Sequence, residues 1–398
     1  MEAHLRELAD LVVRWVHLIA GIMWIGNSML FNWLDRNLER REGAGEGHIG
    51  DIWMVHSGGF YQVEKKHLAP SQMPATLHWF KWQNGVTWLS GIALLILVFY
   101  MGDAALMTDP SVSNLSGPKA IAVGVGVLVA AWAGYDLVWR SPLRRRPTAG
   151  FVASLAWVLA LSGVLFATLS GRAAYIHVGV MIGTLMTGNV WMVIIPSQRE
   201  LVAATVEGRP QDPAIGMQAK ERSIHNNYFT FPLLFIMLSG HFPQTYDHKL
   251  NWLVLLVLAV GSALIRHLMN IRFTYKAWKL PATITLFVTC AATLFFFAHP
   301  EGLPRARPRA PQPPTVWADV APIFRARCEP CHATVPTNTA FPAPPNGMVI
   351  ENEFHARRWK DKILQRVVTL RNMPLANLTQ MTDAERDRIG AWIEQGCR

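Results

Sequence analysis

The most regular feature of the chain is a series of eight apolar stretches separated by polar segments. Each is close to the roughly 20 residues that a helix needs to cross the hydrocarbon core of a bilayer. We therefore predict an all-α, polytopic membrane domain of eight helices over residues 1–299. The eight stretches cover residues 11–33, 84–101, 119–139, 151–170, 174–196, 225–241, 251–270 and 279–298.

The chain changes character after the last apolar stretch. Six prolines lie between Pro300 and Pro314, which predicts an extended, semi-rigid linker over residues 300–314. Residues 315–398 then show apolar positions at helical spacing, and Thr382 with Glu385 forms a capping box before the last helix. The sequence thus predicts a small all-helical C-terminal domain.

Composition supports a membrane protein. Hydrophobic residues make up 51% of the chain and charged residues only 16%, whereas soluble domains carry roughly 25% charge. An ordinary water-soluble enzyme is therefore excluded as the first hypothesis. The net charge of +10 is spread over loops and forms no single basic face, so we expect lipid as a partner and no nucleic acid.

The loop charges predict how the membrane domain is oriented. With eight spans, seventeen Lys and Arg residues fall on one side and four on the side of the termini. Because Lys and Arg are enriched in cytoplasmic loops, both termini are predicted to lie outside. The cluster Arg140, Arg144, Arg145 and Arg146 then serves as a topology anchor.

The C-terminal domain contains the pentapeptide Cys328, Glu329, Pro330, Cys331, His332. In such a CxxCH motif, two thiols can bond to the haem vinyl groups while the adjacent imidazole ligates the iron. A zinc site would need a second pair of ligands, and Cys397 is the one further cysteine of this domain. We predict one covalent haem c. Its attachment outside the bacterial inner membrane agrees with the orientation predicted from the loop charges, which places the domain in the periplasm.

The second axial ligand of the iron is expected to be a soft donor, which suits a high reduction potential. Met373 is the preferred candidate, because it precedes Pro374 in the segment before the last helix. Met348, Met381 and His355 are the alternatives.

Ionisable side chains within the apolar stretches are functional candidates, because they are costly in a bilayer unless paired or hydrated. His17, His177 and His267 are candidate ligands of an additional haem b or metal in the membrane domain. In the structural alternative, the histidines only form hydrogen bonds between helices and Asp136 pairs with Arg266.

The segment 34–83, which the predicted topology places inside, is the other region dense in chemical groups. Its cations, carboxylates and indoles could hold a planar anionic ring by hydrogen bonds and stacking. In the alternative interpretation, Trp79, Lys81 and Trp82 only anchor the helices at the interface. The candidate catalytic residues are Glu64, Lys65, His67 and His78, joined by His225 from the same side.

Five segments together resemble the bacterial membrane-bound urate oxidases, or urate hydroxylases, which end in a cytochrome c domain. They are RWVHLIAGIMWIG (14–26), GGFYQVEKK (58–66), LHWFKW (77–82), TWLSG (87–91) and HNNYFTFPLLFIMLSG (225–240). The resemblance implies a class I-like cytochrome c in which Cys328, Cys331 and His332 attach the haem and Met373 is its distal ligand.

The resemblance also implies an activity. Urate is oxidised to 5-hydroxyisourate, and the electrons pass through the haem to a respiratory acceptor, either a terminal oxidase or a soluble cytochrome c. Two other functions use the same features: a respiratory subunit that links quinol to a cytochrome without urate chemistry, and a metal transporter.

Overall fold

The computed structural model describes residues 2–43, 45–101, 104–298, 313–338, 341 and 343–397. Its N-terminal part is a bundle of long helices. They are α1 (Glu2–Asn37), α2 (Trp82–Leu95), α3 (Gly117–Arg140), α4 (Pro147–Thr168), α5 (Gly171–Asn189), α6 (Ile195–Val206), α7 (Pro213–Leu238), the short α8 (Pro243–Tyr246), α9 (Asn251–Ile271) and α10 (Lys279–Ala298).

Within the described residues, seven helices are long and apolar enough to cross a membrane. One of them is the continuous 36-residue run Gly171–Val206, in which a π-helical segment joins α5 to α6. The predicted stretch 225–241 is not among the seven. It lies in α7, where Arg222, Asn226 and Asn227 are buried, so this helix packs against α5 and α9 through polar as well as apolar side chains.

Helix α5 occupies the centre of the bundle, since it packs against α2, α3, α4 and α7. Its buried side chains include Tyr175, Met181 and Leu185. The helix begins against α8 at Gly171, where a Cβ atom would lie 2.0 Å from the carbonyl oxygen of Tyr246. Glycine is therefore required at this position, and the contact fixes the start of α5 beside the loop that leads into α9.

The prediction of an all-α fold needs one correction, because residues 48–66 form an antiparallel hairpin. Strands β1 (His48–His56) and β2 (Gly59–Lys66) are joined by a tight turn. Ser57 and Gly58 have φ values of 50° and 77°, which is the left-handed backbone that two-residue hairpin turns use. The hairpin forms here because the Ser-Gly-Gly sequence supplies that turn between two segments rich in β-branched and aromatic residues.

The C-terminal domain has a separate hydrophobic core built around Phe324, Ile389 and Trp392. The predicted capping box is confirmed: the Glu385 backbone N–H donates to Thr382 Oγ1 at 3.2 Å, and the Thr382 N–H donates to Glu385 Oε2 at 2.6 Å. The predicted linker, apart from residues 313–314, lies outside the described residues. The helices are α11 (Trp317–Arg327), α12 (Glu329–His332), α13 (Glu353–Arg358), α14 (Lys360–Ile363) and α15 (Asp383–Glu394).

Candidate functional site

The CxxCH motif is wound into a single helical turn. Cys328 follows α11 directly, and its backbone carbonyl accepts the N–H of His332 at 2.8 Å. Cys328 is buried in the core of the C-terminal domain, and Cys331 is half-buried. The local fold therefore holds both thiols and the imidazole within a compact segment of five residues.

His332 is oriented by the backbone. Its Nδ1 lies 2.8 Å from the carbonyl oxygen of Met348. A carbonyl only accepts hydrogen bonds, so Nδ1 carries the ring proton and Nε2 keeps its lone pair for a metal. Burial lowers the pKa of His332, which favours the neutral imidazole that ligates iron. These features fit a c-type haem.

The candidates for the second ligand occupy different positions. The backbone of Met348 lies behind His332, on the Nδ1 side that faces away from a metal at Nε2. Met381 is 3% exposed and belongs to the core itself, while His355 takes part in capping α13. Met373, like Met348, is partly buried at the edge of the core, and it stays the predicted ligand.

Arg386 holds the segment that carries Met373. This buried arginine donates from Nη1 to the carbonyl oxygens of Val367 at 2.6 Å and Met373 at 2.5 Å. Burial lowers the pKa of Arg386 to about 10, so the side chain stays protonated near pH 7. The backbone of the candidate ligand is thus fixed by a charged donor.

The two domains meet beside this same segment. Asn372 donates a hydrogen bond from Nδ2 to Oδ2 of Asp247, which lies in the loop before α9. Burial raises the pKa of Asp247 to about 6, against the opposing effects of the Asn372 hydrogen bond and of the Arg366 and Arg172 charges; the nearby Asp109 also raises it. Asn372, which precedes Met373, therefore contacts the N-terminal helical bundle.

This contact is predicted to depend on pH. Because burial raises the pKa of Asp247, the folded protein around this contact favours the protonated carboxyl, and that stabilisation is complete below about pH 4 and lost as the pH rises through about 6. Hydrogen exchange of residues 366–373, corrected for the intrinsic pH dependence of exchange, should show protection that falls over this range. In Asp247→Asn the protection should not vary with pH; the same pH profile in both proteins would contradict the assignment.

The predicted catalytic residues do not converge. Glu64 and Lys65 lie on β2, where Lys65 pairs with Asp35 of α1 at 2.6 Å and Glu64 pairs with Lys66 at 3.0 Å. His67 and His78 are exposed in the loop that follows. His225 lies apart from them in α7, with Nδ1 2.6 Å from the Tyr135 hydroxyl.

The three intramembrane histidines also lie in separate places. His17 Nδ1 contacts the Thr87 carbonyl at 2.9 Å, and His267 Nδ1 lies 2.7 Å from the Tyr228 hydroxyl. His177 is fully buried, with Nε2 3.1 Å from the Tyr100 hydroxyl. No group of three or more potential metal-ligating side chains occurs in the part of the chain that the structure describes.

The alternative pairing of Asp136 with Arg266 is wrong. Asp136 binds Arg222 of α7 at 3.0 Å and Arg140 at 2.5 Å. Arg222 is fully buried, with its guanidinium 4.7 Å from the ring centroid of Tyr135. The prediction from loop charges counts Arg222 among the seventeen Lys and Arg residues of one side, but α7 begins nine residues earlier at Pro213 and carries Arg222 into the bundle.

Arg266 instead faces a cavity of about 280 Å³ between α1 and α9. Arg266 as a whole residue is 4% exposed, and its Nε donates to Asn227 Oδ1 at 3.0 Å. Asn270, one turn later, donates to the same oxygen at 2.7 Å. The cavity thus combines cations, carboxamides and an indole; its lining residues are Met29, Leu30, Asn32, Trp33, Arg266, Met269, Asn270 and Arg272.

Most of this lining was missed in the sequence. Arg266 was noted only as an ionisable residue within a span, and Asn32, Trp33, Asn270 and Arg272 were given no role. A signal was present, since Arg266 and Asn270 are polar residues four positions apart in a mostly apolar helix and therefore share a face. By contrast, the crevice between α9 and α10 is lined by aliphatic side chains with two threonines and one glycine.

Comparison with known proteins gives one result. A family model described as "Urate oxidase N-terminal" matches residues 3–297, which is the helical bundle and its hairpin. No curated protein and no solved structure matches the chain.

Proposed function

Because the chain belongs to the urate oxidase N-terminal family, we propose that it is a membrane-bound urate oxidase that passes electrons to a c-type haem in its own C-terminal domain. One observation carries the proposal. The CxxCH motif lies in a folded domain whose Met373 segment contacts the family-matched domain through Asn372 and Asp247. Substrate chemistry and electron acceptor are therefore joined in one chain.

The proposed reaction is a two-electron oxidation with hydroxylation by water. The urate monoanion and one water molecule give 5-hydroxyisourate, one proton and two electrons. Oxygen from water forms the new bond to carbon, so dioxygen is not a reactant at this step. The electrons leave through the C-terminal domain to a respiratory acceptor, either a terminal oxidase or a soluble cytochrome c.

The residues that would hold the haem have distinct tasks. Cys328 and Cys331 would attach it by thioethers, and His332 and Met373 would ligate the iron. A bound haem supplies a one-electron acceptor that can be used twice for each urate. Arg386 keeps the Met373 carbonyl in place, and the Met348 carbonyl sets the proton on His332 Nδ1.

We place the protein in the bacterial inner membrane with its C-terminal domain in the periplasm. The arginine cluster 140–146 lies at the junction of α3 and α4, whereas Asp247 lies near the start of α5. The 22-residue helix α4 separates these two regions, a rise of about 33 Å. A cationic end opposite the C-terminal domain supports this orientation, since cytoplasmic loops are rich in Lys and Arg.

Anaerobic reduction of the purified protein tests the proposed function. Fully oxidised full-length protein is mixed under argon with urate, and separately with a quinol. Urate is expected to produce the absorption bands of reduced haem c. If only quinol produces them, the protein is a respiratory electron-transfer subunit and the proposal is wrong.

A further inference from the structure

Arg266 is a buried cation that has no ion pair with an acidic side chain in the described part of the chain, and its guanidinium lies 5.4 Å from the ring centroid of Phe231. Its only hydrogen bond within the described part of the chain is made by Nε to the neutral side chain of Asn227, although the residue is 4% exposed. The charges of Arg272 and Arg36 act on it and increase the excess of positive charge. An uncompensated charge of this kind is costly in a protein interior, so the arrangement calls for an anion.

We infer that the cavity between α1 and α9 is the urate-binding site, with Arg266 as the residue that binds the anion. This inference rests on the proposed function and names the site at which it operates. The volume of about 280 Å³ is sufficient for a bicyclic purine of about a dozen heavy atoms, and ligand sites of this kind are lined by apolar surface with a few convergent polar groups.

The polar lining matches the edges of urate. Its carbonyl oxygens and anionic nitrogen accept hydrogen bonds, which Arg266 and Arg272 can donate. Its N–H groups donate, and the side-chain carbonyls of Asn32 and Asn270 can accept. The indole of Trp33 provides a flat surface for stacking, while Met29, Leu30 and Met269 supply apolar contacts.

An anionic lipid headgroup is the competing ligand, because basic pockets between membrane helices also bind phospholipids. Two features favour the heterocycle. A phosphate group carries no N–H donors for the carboxamide oxygens of Asn32 and Asn270, and it gains nothing from stacking on Trp33. The carboxamide oxygens of Asn32 and Asn270 and the indole of Trp33 would thus have no partner in a phosphate group, whereas urate can contact all three.

Urate binding to variants of the full-length protein tests the site. The dissociation constant is measured by equilibrium dialysis with the protein kept reduced under argon, so that no urate is consumed. Arg266→Gln should weaken binding by about tenfold or more, since a hydrogen bond to a charged group is lost. Arg144→Gln, which removes the same charge from an exposed loop, should bind urate as the parent protein does.

A second variant retains every charge. Trp33→Leu should weaken urate binding by about fivefold or more through lost stacking, and this variant remains informative if Arg266→Gln does not fold. Unchanged urate affinity in both variants would overturn the site. Loss of co-purified phosphatidylglycerol from Arg266→Gln, with urate affinity unchanged, would assign the cavity to a lipid headgroup and would also overturn it.

Failure of the proposed function and failure of the proposed site give different experimental results. If the parent protein neither binds nor oxidises urate, the proposed function is wrong. If the parent oxidises urate and Arg266→Gln and Trp33→Leu bind it equally well, the function stands and only the location of the site is wrong.

Discussion

Replacement of Cys328 and Cys331 by Ala is expected to abolish both covalent haem and urate oxidation. The CxxCH turn contains the two thiols that would form thioethers, and without them haem cannot stay attached through denaturation. Haem staining on a denaturing gel should disappear, and electron flow from urate should fall to the background of the assay. Insertion of the bundle should be unaffected, because it has a core of its own.

Cys397→Ala provides the matched control for this experiment. Cys397 is a third cysteine in the core of the same domain, 3% exposed, and lies outside the motif. Its replacement should leave haem staining intact. Staining that persists in the Cys328 and Cys331 double variant, or that is lost equally in Cys397→Ala, would contradict the assigned attachment site.

Asp136→Asn is expected to be the most destabilising single change in the bundle. The substitution removes the negative charge beside Arg222, which is fully buried and whose Nε and Nη1 have no hydrogen-bond partner among the residues that the structure describes. Leaving one member of a buried ion pair uncompensated costs about 3 to 5 kcal/mol. The free energy of unfolding in detergent, followed by circular dichroism against denaturant, should fall by an amount in this range.

Arg140→Gln tests the same carboxylate from its exposed side. The Arg140 side chain is 65% exposed, and an exposed ion pair contributes about 1 kcal/mol or less. The loss in unfolding free energy should therefore be several times smaller than for Asp136→Asn. Equal losses in the two variants would show that burial of Arg222 does not determine the energy of this network.

Patterns that repeat along the chain predicted most of the fold. Seven of the predicted apolar stretches are helices that could cross a membrane, and the Thr382 capping box is confirmed. The hairpin at residues 48–66 was missed, because two strands of eight and nine residues produce a weaker pattern than a spanning helix. Arg222 was placed in a loop because the apolar part of α7 begins after it, whereas the structure extends this helix back to Pro213 and buries Arg222.

The candidate site was harder to predict, because it depends on which helices are neighbours. The CxxCH motif that begins at Cys328 consists of five consecutive residues, so the sequence alone was enough to identify it. Glu64, Lys65, His67 and His78 were grouped because they are close in sequence; in the structure Lys65 pairs with Asp35 and Glu64 with Lys66, while His67 and His78 are exposed after the hairpin. The cavity is lined by Trp33 of α1 and by residues more than 230 positions later in α9. A pattern of neighbouring residues in the sequence cannot predict that two such distant segments are in contact.

The position of the cavity affects the path of the electrons. Arg266 is fifteen residues along α9 from Asn251, about 22 Å at the rise of an α-helix, and Asn251 is four residues from the domain contact at Asp247. Electron passage over this length requires an intermediate carrier within the bundle. A second haem or metal held by His17, His177 or His267 is our proposal for that carrier; His177 is the least available of the three, because its Nδ1 and Nε2 lie within hydrogen-bond distance of the Ala173 carbonyl and the Tyr100 hydroxyl.

Titration of the oxidised protein with urate under argon tests the central claim most directly. Small additions of urate are made to a known amount of protein, and the reduced haem c and the 5-hydroxyisourate formed are measured together. With a redox mediator that equilibrates the centres of all molecules, haem c and any further carrier in the bundle should together accept two electrons for each urate consumed, with one 5-hydroxyisourate formed. Urate that remains unconsumed while the haem stays oxidised would contradict the account.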